Sequence, residues 1–134
     1  MMTETMASKG KVLVAEDDRA LADIVRLAFT RAGYEVTVAH CGKMALRAAH
    51  STAYDVIVSD YQMPGLDGEQ FLAGARAAGQ SQQALLILCS AKSYELDSER
   101  LRSELELAAI FYKPFSLGEL VRAVRDALAP LPAT

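Results

Sequence analysis

Two spacings of apolar residues take turns along the chain, and their succession predicts five strand–helix units. Lys11–Ala15 (KVLVA), Glu35–Ala39 (EVTVA), Asp55–Ser59 (DVIVS), Ala84–Cys89 (ALLILC) and Ala109–Tyr112 (AIFY) are short runs that read as strands. Between them the period lengthens to that of a helix. Leu21, Ile24, Val25, Ala28 and Phe29 form one stripe, and Gly33 stands where a glycine would end that helix. Lys43–His50 turns Ala45, Leu46 and Ala49 inward. Met63–Gly68 is a Pro- and Gly-punctuated turn, and Asp67 is placed to cap a helix that runs to about Ala78 with Phe71, Leu72 and Ala75 inward. Gly79 and Gln80–Gln83 break it. A charged helix from Asp97 to about Leu107 carries Leu101 and Leu105 on one side. Ser116 and Glu119 have the spacing of a capping box, opening a last helix lined by Leu117, Leu120, Val121, Val124 and Leu128.

Apolar strands alternating with helices predict a doubly wound α/β sandwich, a parallel sheet with helices on both faces. The carboxyl ends of its strands share one edge, where such folds bind ligands. Strand one delivers Glu16, Asp17 and Asp18 there, strand three Asp60, strand four Ser90 and strand five Lys113. Crowded carboxylates repel one another unless a cation enters. An oxygen-only set with no His or Cys beside it suits Mg²⁺ rather than zinc. Lys113 and the Ser90 hydroxyl would hold an anion that a metal neutralises, and phosphoryl is the natural candidate. With no Ser–His or Cys–His pair on offer, a carboxylate is the plausible nucleophile, and Asp60, alone at its strand end, suits that role best.

Four segments carry a family resemblance. VLVAEDD (12–18), DVIVSDYQMPGLDG (55–68), LILCSAK (86–92) and YKPFS (112–116), in this order, resemble the response-regulator receiver domain of two-component signalling, over Lys11 to about Ala129. The resemblance implies a flavodoxin-like (βα)5 fold with strand order 2-1-3-4-5. It implies Asp60 as phosphoryl acceptor, and Glu16 and Asp17 as the pair that holds Mg²⁺, with Asp18 one place beyond. The main-chain carbonyl of Gln62 would be a further ligand. Ser90 matches the hydroxyl that bonds the phosphoryl and moves on activation, and Lys113 the lysine that pairs with it. The Lys113–Pro114 peptide is cis in the family.

The implied partner is a histidine kinase or histidine phosphotransfer protein. The fourth helix, fifth strand and fifth helix form a candidate homodimer face. The implied catalysis is confined to the domain's own phosphorylation and slow autodephosphorylation, so the domain is a signalling switch rather than an enzyme. The sequence also departs from the family. Ile110 stands where Tyr or Phe is usual, and Phe111 is expected on the opposite side of the strand. The glycine common before strand five is missing from Glu104–Ala109, so the fourth helix is expected to run longer or enter the strand differently. Relative to the family, the loop Lys92–Leu96 is expected to hold one extra residue.

Composition narrows the alternatives. A chain of 134 residues, 51% apolar and 23% charged, is one globular domain with a true core. We divide it into a flexible segment 1–9, a receiver domain 10–129 and a tail or linker 130–134. A net charge of −3 argues against nucleic acid or an anionic membrane as direct partner. The longest apolar runs, Ala84–Cys89 and Leu107–Tyr112, are too short to span a bilayer. The first ten residues lack a signal core, and two cysteines make no disulfide framework, so a cytoplasmic protein is expected. Cys89 reads as a small core residue and Cys41 as a loop thiol, with His40 and His50 on the surface. Two other classes stay open. One is a non-catalytic binding module. The other is a metal-dependent phosphatase working through an aspartyl-phosphate, although such enzymes commonly carry a second Asp where this chain has Gln62.

Overall fold

A computed structural model describes residues 8–91 and 97–129. The elements run β1 (Lys11–Ala15), α1 (Arg19–Arg31), β2 (Glu35–Ala39), α2 (Gly42–Ser51), β3 (Val56–Asp60), α3 (Gly68–Ala77), β4 (Leu85–Ser90), α4 (Ser98–Leu105), β5 (Leu107–Tyr112) and α5 (Leu117–Leu128). The strands pair in parallel in the order β2-β1-β3-β4-β5. The fold is thus the expected flavodoxin-like α/β sandwich. The expectations for residues 1–7, for the loop 92–96 and for the tail 130–134 lie outside the described residues.

The central strands explain why their sequences do not alternate. Successive residues point to opposite faces, and both faces are covered. Leu13, Ile57, Leu86 and Leu88 pack against Ala45, Phe71, Leu72, Ala75, Leu101 and Leu105 of α2, α3 and α4. Val12, Val14, Val58 and Ile87 pack on the other face against Val25, Phe29, Leu120 and Val124 of α1 and α5. Cys89 lies in that second core, as expected. At the edge, β2 keeps Glu35 and Thr37 exposed and alternates.

Four expectations are corrected. In α1, Ile24 is 51% exposed, and the buried line is Ala22, Val25 and Phe29. Apolar residues cover more than one side of this helix, so their period does not fix its rotation. The small Ala22 is fully buried where Ile24 was expected to be. Secondly, α4 does not run on to Leu107. It ends at Leu105, and Glu106 takes a left-handed conformation, φ 55°, in place of the absent glycine. β5 therefore starts two residues before Ala109, and its pairing with β4 shifts register between Leu86 and Ile87. Thirdly, His40 and His50 are half-buried rather than on the surface, each bonded to a distant carbonyl, of Glu16 and Gly74. Fourthly, Ser116 caps α5 through a bond from the Glu119 N–H, while the two-way capping box stands at α3, between Asp67 and Gln70.

One side chain ties several of these parts together. Arg76, near the end of α3, donates to the carbonyls of Gln82 and Ala84 at 2.8 Å, and to those of Leu105 and Glu106 at 3.1 and 3.2 Å. Five donors on one planar group suit a corner where several chain ends leave carbonyls unpaired.

Candidate functional site

The strand ends converge as the topology requires. Asp60 is the last residue of β3 and Ser90 the last of β4. Lys113 follows β5, and Glu16, Asp17 and Asp18 follow β1. Asp60 lies opposite Cys89 in the ladder and Ser90 opposite Tyr112. The Lys113 N–H donates to the Ser90 carbonyl at 2.8 Å, which draws the β5 exit to the β4 end. The Lys113–Pro114 peptide is cis.

Three carboxylates meet here. One oxygen from each of Glu16, Asp17 and Asp60 lies within 4.8 Å of the others. Glu16 and Asp60 are buried, and Asp17 is exposed. The Lys113 ammonium lies 2.8 Å from Asp60 Oδ1 and 3.2 Å from Glu16 Oε1. Glu16 Oε2 accepts the Asp18 N–H at 3.1 Å. The Asp18 carboxylate serves the helix instead, accepting the Leu21 N–H and capping α1. Gln62 is exposed and lines a cleft with Asp17, Tyr61, Met63, Pro64 and Asp67. Ser90 is buried.

The electrostatics follow from burial and crowding. Loss of water raises the Glu16 and Asp60 carboxyls above their ordinary values, and neighbouring carboxylates add to this, Asp60 acting on Glu16 and Asp17 on Asp60. Lys113 opposes both shifts. Its own burial works against its charge, but the hydrogen bond and charge of Asp60, then those of Glu16, hold it above the usual lysine range. Three carboxylates against one ammonium leave an excess of negative charge within a few ångströms. An oxygen-only, negatively charged set of this kind fits a hard divalent cation such as Mg²⁺.

Two residues of this site escaped the sequence. Gly68, first in α3, is packed so closely that a Cβ there would run into the Asp60 carbonyl oxygen and come within 2.8 Å of the Tyr61 Cα. His40 brings an imidazole to the acidic loop, contrary to the expectation that none lay nearby: its Nδ1 is 3.1 Å from the Glu16 carbonyl oxygen. Its place just after β2, at the same sheet edge, was the available signal. Within β5, Ile110 is buried with Leu101 and Leu105 under α4, and Phe111 faces the other core, as expected.

Known proteins resemble this chain in sequence and fold. A family model described as the response regulator receiver domain matches residues 12–125. The chain is 33% identical over 122 residues to the uncharacterized transcriptional regulatory protein YkoG of Bacillus subtilis, and 36% identical over 120 residues to the response regulator MprA of Mycobacterium ulcerans. These alignments cover 90% and 88% of this chain but only 51% and 50% of those proteins, so the chain spans about half the length of the curated relatives it matches. Among solved structures, the receiver domain of the Francisella response regulator 1452 superposes with a TM-score of 0.77 at 34% identity, covering 89% of this chain and 96% of that one. The receiver domain of the sensor histidine kinase PA1611 from Pseudomonas aeruginosa, with a magnesium ion coordinated in its active-site cleft, gives 0.80 at 26% identity, covering 91% and 98%. Among the described residues, no helix is long and apolar enough to cross a membrane.

Proposed function

The chain belongs to the response regulator receiver domain family, and from that premise we propose that it takes a phosphoryl group onto Asp60 from a histidine kinase or histidine phosphotransfer protein. The observation that carries this reading is the Lys113 ammonium, bridging Asp60 at 2.8 Å and Glu16 at 3.2 Å beside the exposed Asp17. Glu16, Asp17, Asp60 and the main-chain carbonyl of Gln62 would hold Mg²⁺. That ion supplies charge neutralisation for the incoming phosphoryl oxygens.

The residues of the chain do the positioning. A carboxylate oxygen of Asp60 attacks phosphorus. The P–O bond forms as the P–N bond of the donor phosphohistidine breaks, and the imidazole nitrogen leaves with the electron pair. Lys113, already at hydrogen-bond distance from Asp60, would pair with a phosphoryl oxygen, and the Ser90 hydroxyl at the end of β4 would donate to another. Attack of water on phosphorus later releases inorganic phosphate and restores the carboxylate. Holding donor and acceptor in line supplies most of the rate. An apolar cleft formed by Leu21, Pro114, Phe115 and Leu117 flanks Lys113, and an approaching donor would rest against it. The chain then acts as a cytoplasmic switch whose partner contacts change with the charge on Asp60.

Incubation with acetyl phosphate and Mg²⁺ should add a single hydroxylamine-labile phosphoryl, and Asp60→Asn should take up none. Equal uptake by the variant would overturn the assignment.

A further inference from the structure

His40 follows β2 directly, and its half-buried ring reaches the acidic loop that follows β1. The Nδ1 atom lies 3.1 Å from the Glu16 main-chain oxygen. A carbonyl can only accept, so Nδ1 carries the proton and donates it. The Glu16 N–H donates in turn to the Ala39 carbonyl at 3.0 Å. Both polar groups of the Glu16 backbone are therefore held by two consecutive residues at the end of β2.

The Glu16 carbonyl belongs to the peptide plane that joins Glu16 to Asp17. Fixing that plane sets the direction in which Asp17 leaves the chain. The two buried carboxylates have anchors of their own. Glu16 is held by Lys113 and by the Asp18 N–H, and Asp60 by Lys113. Asp17, the exposed member, is aimed by its backbone. We propose that His40 is a positioning residue for the metal-holding acids: its Nδ1–H sets the Glu16–Asp17 peptide so that both carboxylates face one ion. This rests on the reading above of Glu16, Asp17 and Asp60 as ligands.

Outer hydrogen bonds that orient ligands contribute about 10- to 100-fold to metal affinity, and a bond to a neutral carbonyl belongs at the low end. His50 provides a comparison within the same molecule. Its Nε2 lies 3.2 Å from the Gly74 carbonyl, tying α2 to α3 away from the acids. A merely structural tie predicts that the two histidines behave alike.

The test uses the full chain, with calorimetric Mg²⁺ titration, thermal melts and acetyl phosphate uptake at graded Mg²⁺. The variants are His40→Gln, His40→Asn and His50→Ala. The asparagine amide can present an N–H where Nδ1–H lies, whereas the glutamine amide presents one where Nε2 lies. His40→Gln should weaken Mg²⁺ about 10-fold and raise the Mg²⁺ needed for half-maximal uptake by the same factor. His40→Asn should stay within about threefold of the parent chain. His50→Ala should lower the melting temperature and leave Mg²⁺ affinity unchanged. Parental Mg²⁺ affinity in a folded His40→Gln protein, or equal losses in the Gln and Asn variants, would overturn the role of His40. A parent chain that binds no Mg²⁺ overturns the ligand reading itself and this role with it.

Discussion

The Lys113 ammonium stands 2.8 Å from Asp60 Oδ1, reaching across the end of β4 to join the ends of β3 and β5. Even so, burial leaves the Asp60 carboxyl raised above its ordinary value. Its ionised form is therefore less favoured in the native chain than in the unfolded one. A raised carboxyl contributes stability below its unfolded pKa and loses it as pH climbs through the folded value. Asp60→Asn should consequently stabilise the metal-free protein at neutral pH, with the gain fading in acid. Added Mg²⁺ should stabilise the parent chain far more than the variant. Urea unfolding at neutral and acid pH checks this, and a less stable variant at neutral pH would contradict it.

At the start of α3, Gly68 has no room for a side chain, because the atoms it would strike are the backbone of Asp60 and Tyr61. Elsewhere in a helix, Gly→Ala stabilises by about 0.4–1 kcal/mol. Gly68→Ala should instead cost about 1–3 kcal/mol, because backbone rather than a side-chain tip has to move. It should also slow phosphoryl uptake, since the displaced atoms carry Asp60. Denaturant midpoints and uptake rates measured on the same protein test both halves.

Glu106 closes α4 in the left-handed region at φ 55°. That conformation costs an L-residue about 1–2 kcal/mol, part of which glycine returns through its greater freedom when unfolded. Glu106→Gly is therefore expected to stabilise the chain by about 0.5–1 kcal/mol, read from the shift of its denaturant midpoint.

The Cys89 thiol is buried in the core between the sheet, α1 and α5, and loss of water pushes its pKa up to about 12. Its contribution to stability is complete below the unfolded value and is lost as pH rises from there to about 12. Cys89→Val should flatten the alkaline decline of stability over that range. At neutral pH, a thiol reagent should modify the half-exposed Cys41 in the native protein and reach Cys89 only on unfolding.

Much of this molecule was legible in its sequence, for identifiable reasons. Strands buried on both faces must be apolar throughout, and Val12–Val14 and Leu86–Leu88 are. The fold rule that strand ends share an edge then brought Asp60, Lys113 and the acidic pair together. Ile24 misled because α1 is apolar on more than one side, and only the packed fold shows that Ala22 is buried in its place. Glu106 gave no sign because glutamate is no marker of a left-handed turn. His40 and His50 each bond a carbonyl far along the chain, which leaves no local pattern, and only the place of His40 after β2 pointed to the site.

Helix α3 is pinned at both ends. Gly68 abuts the Asp60 carbonyl at one end, and at the other Arg76 grips Leu105 and Glu106. The ten residues of the helix form a tie rod linking the charged rim to the corner where α4 turns into β5. A shift at either anchor is delivered to the other as displacement of a stiff body. Through the Arg76 guanidinium, the far end of that rod holds the corner.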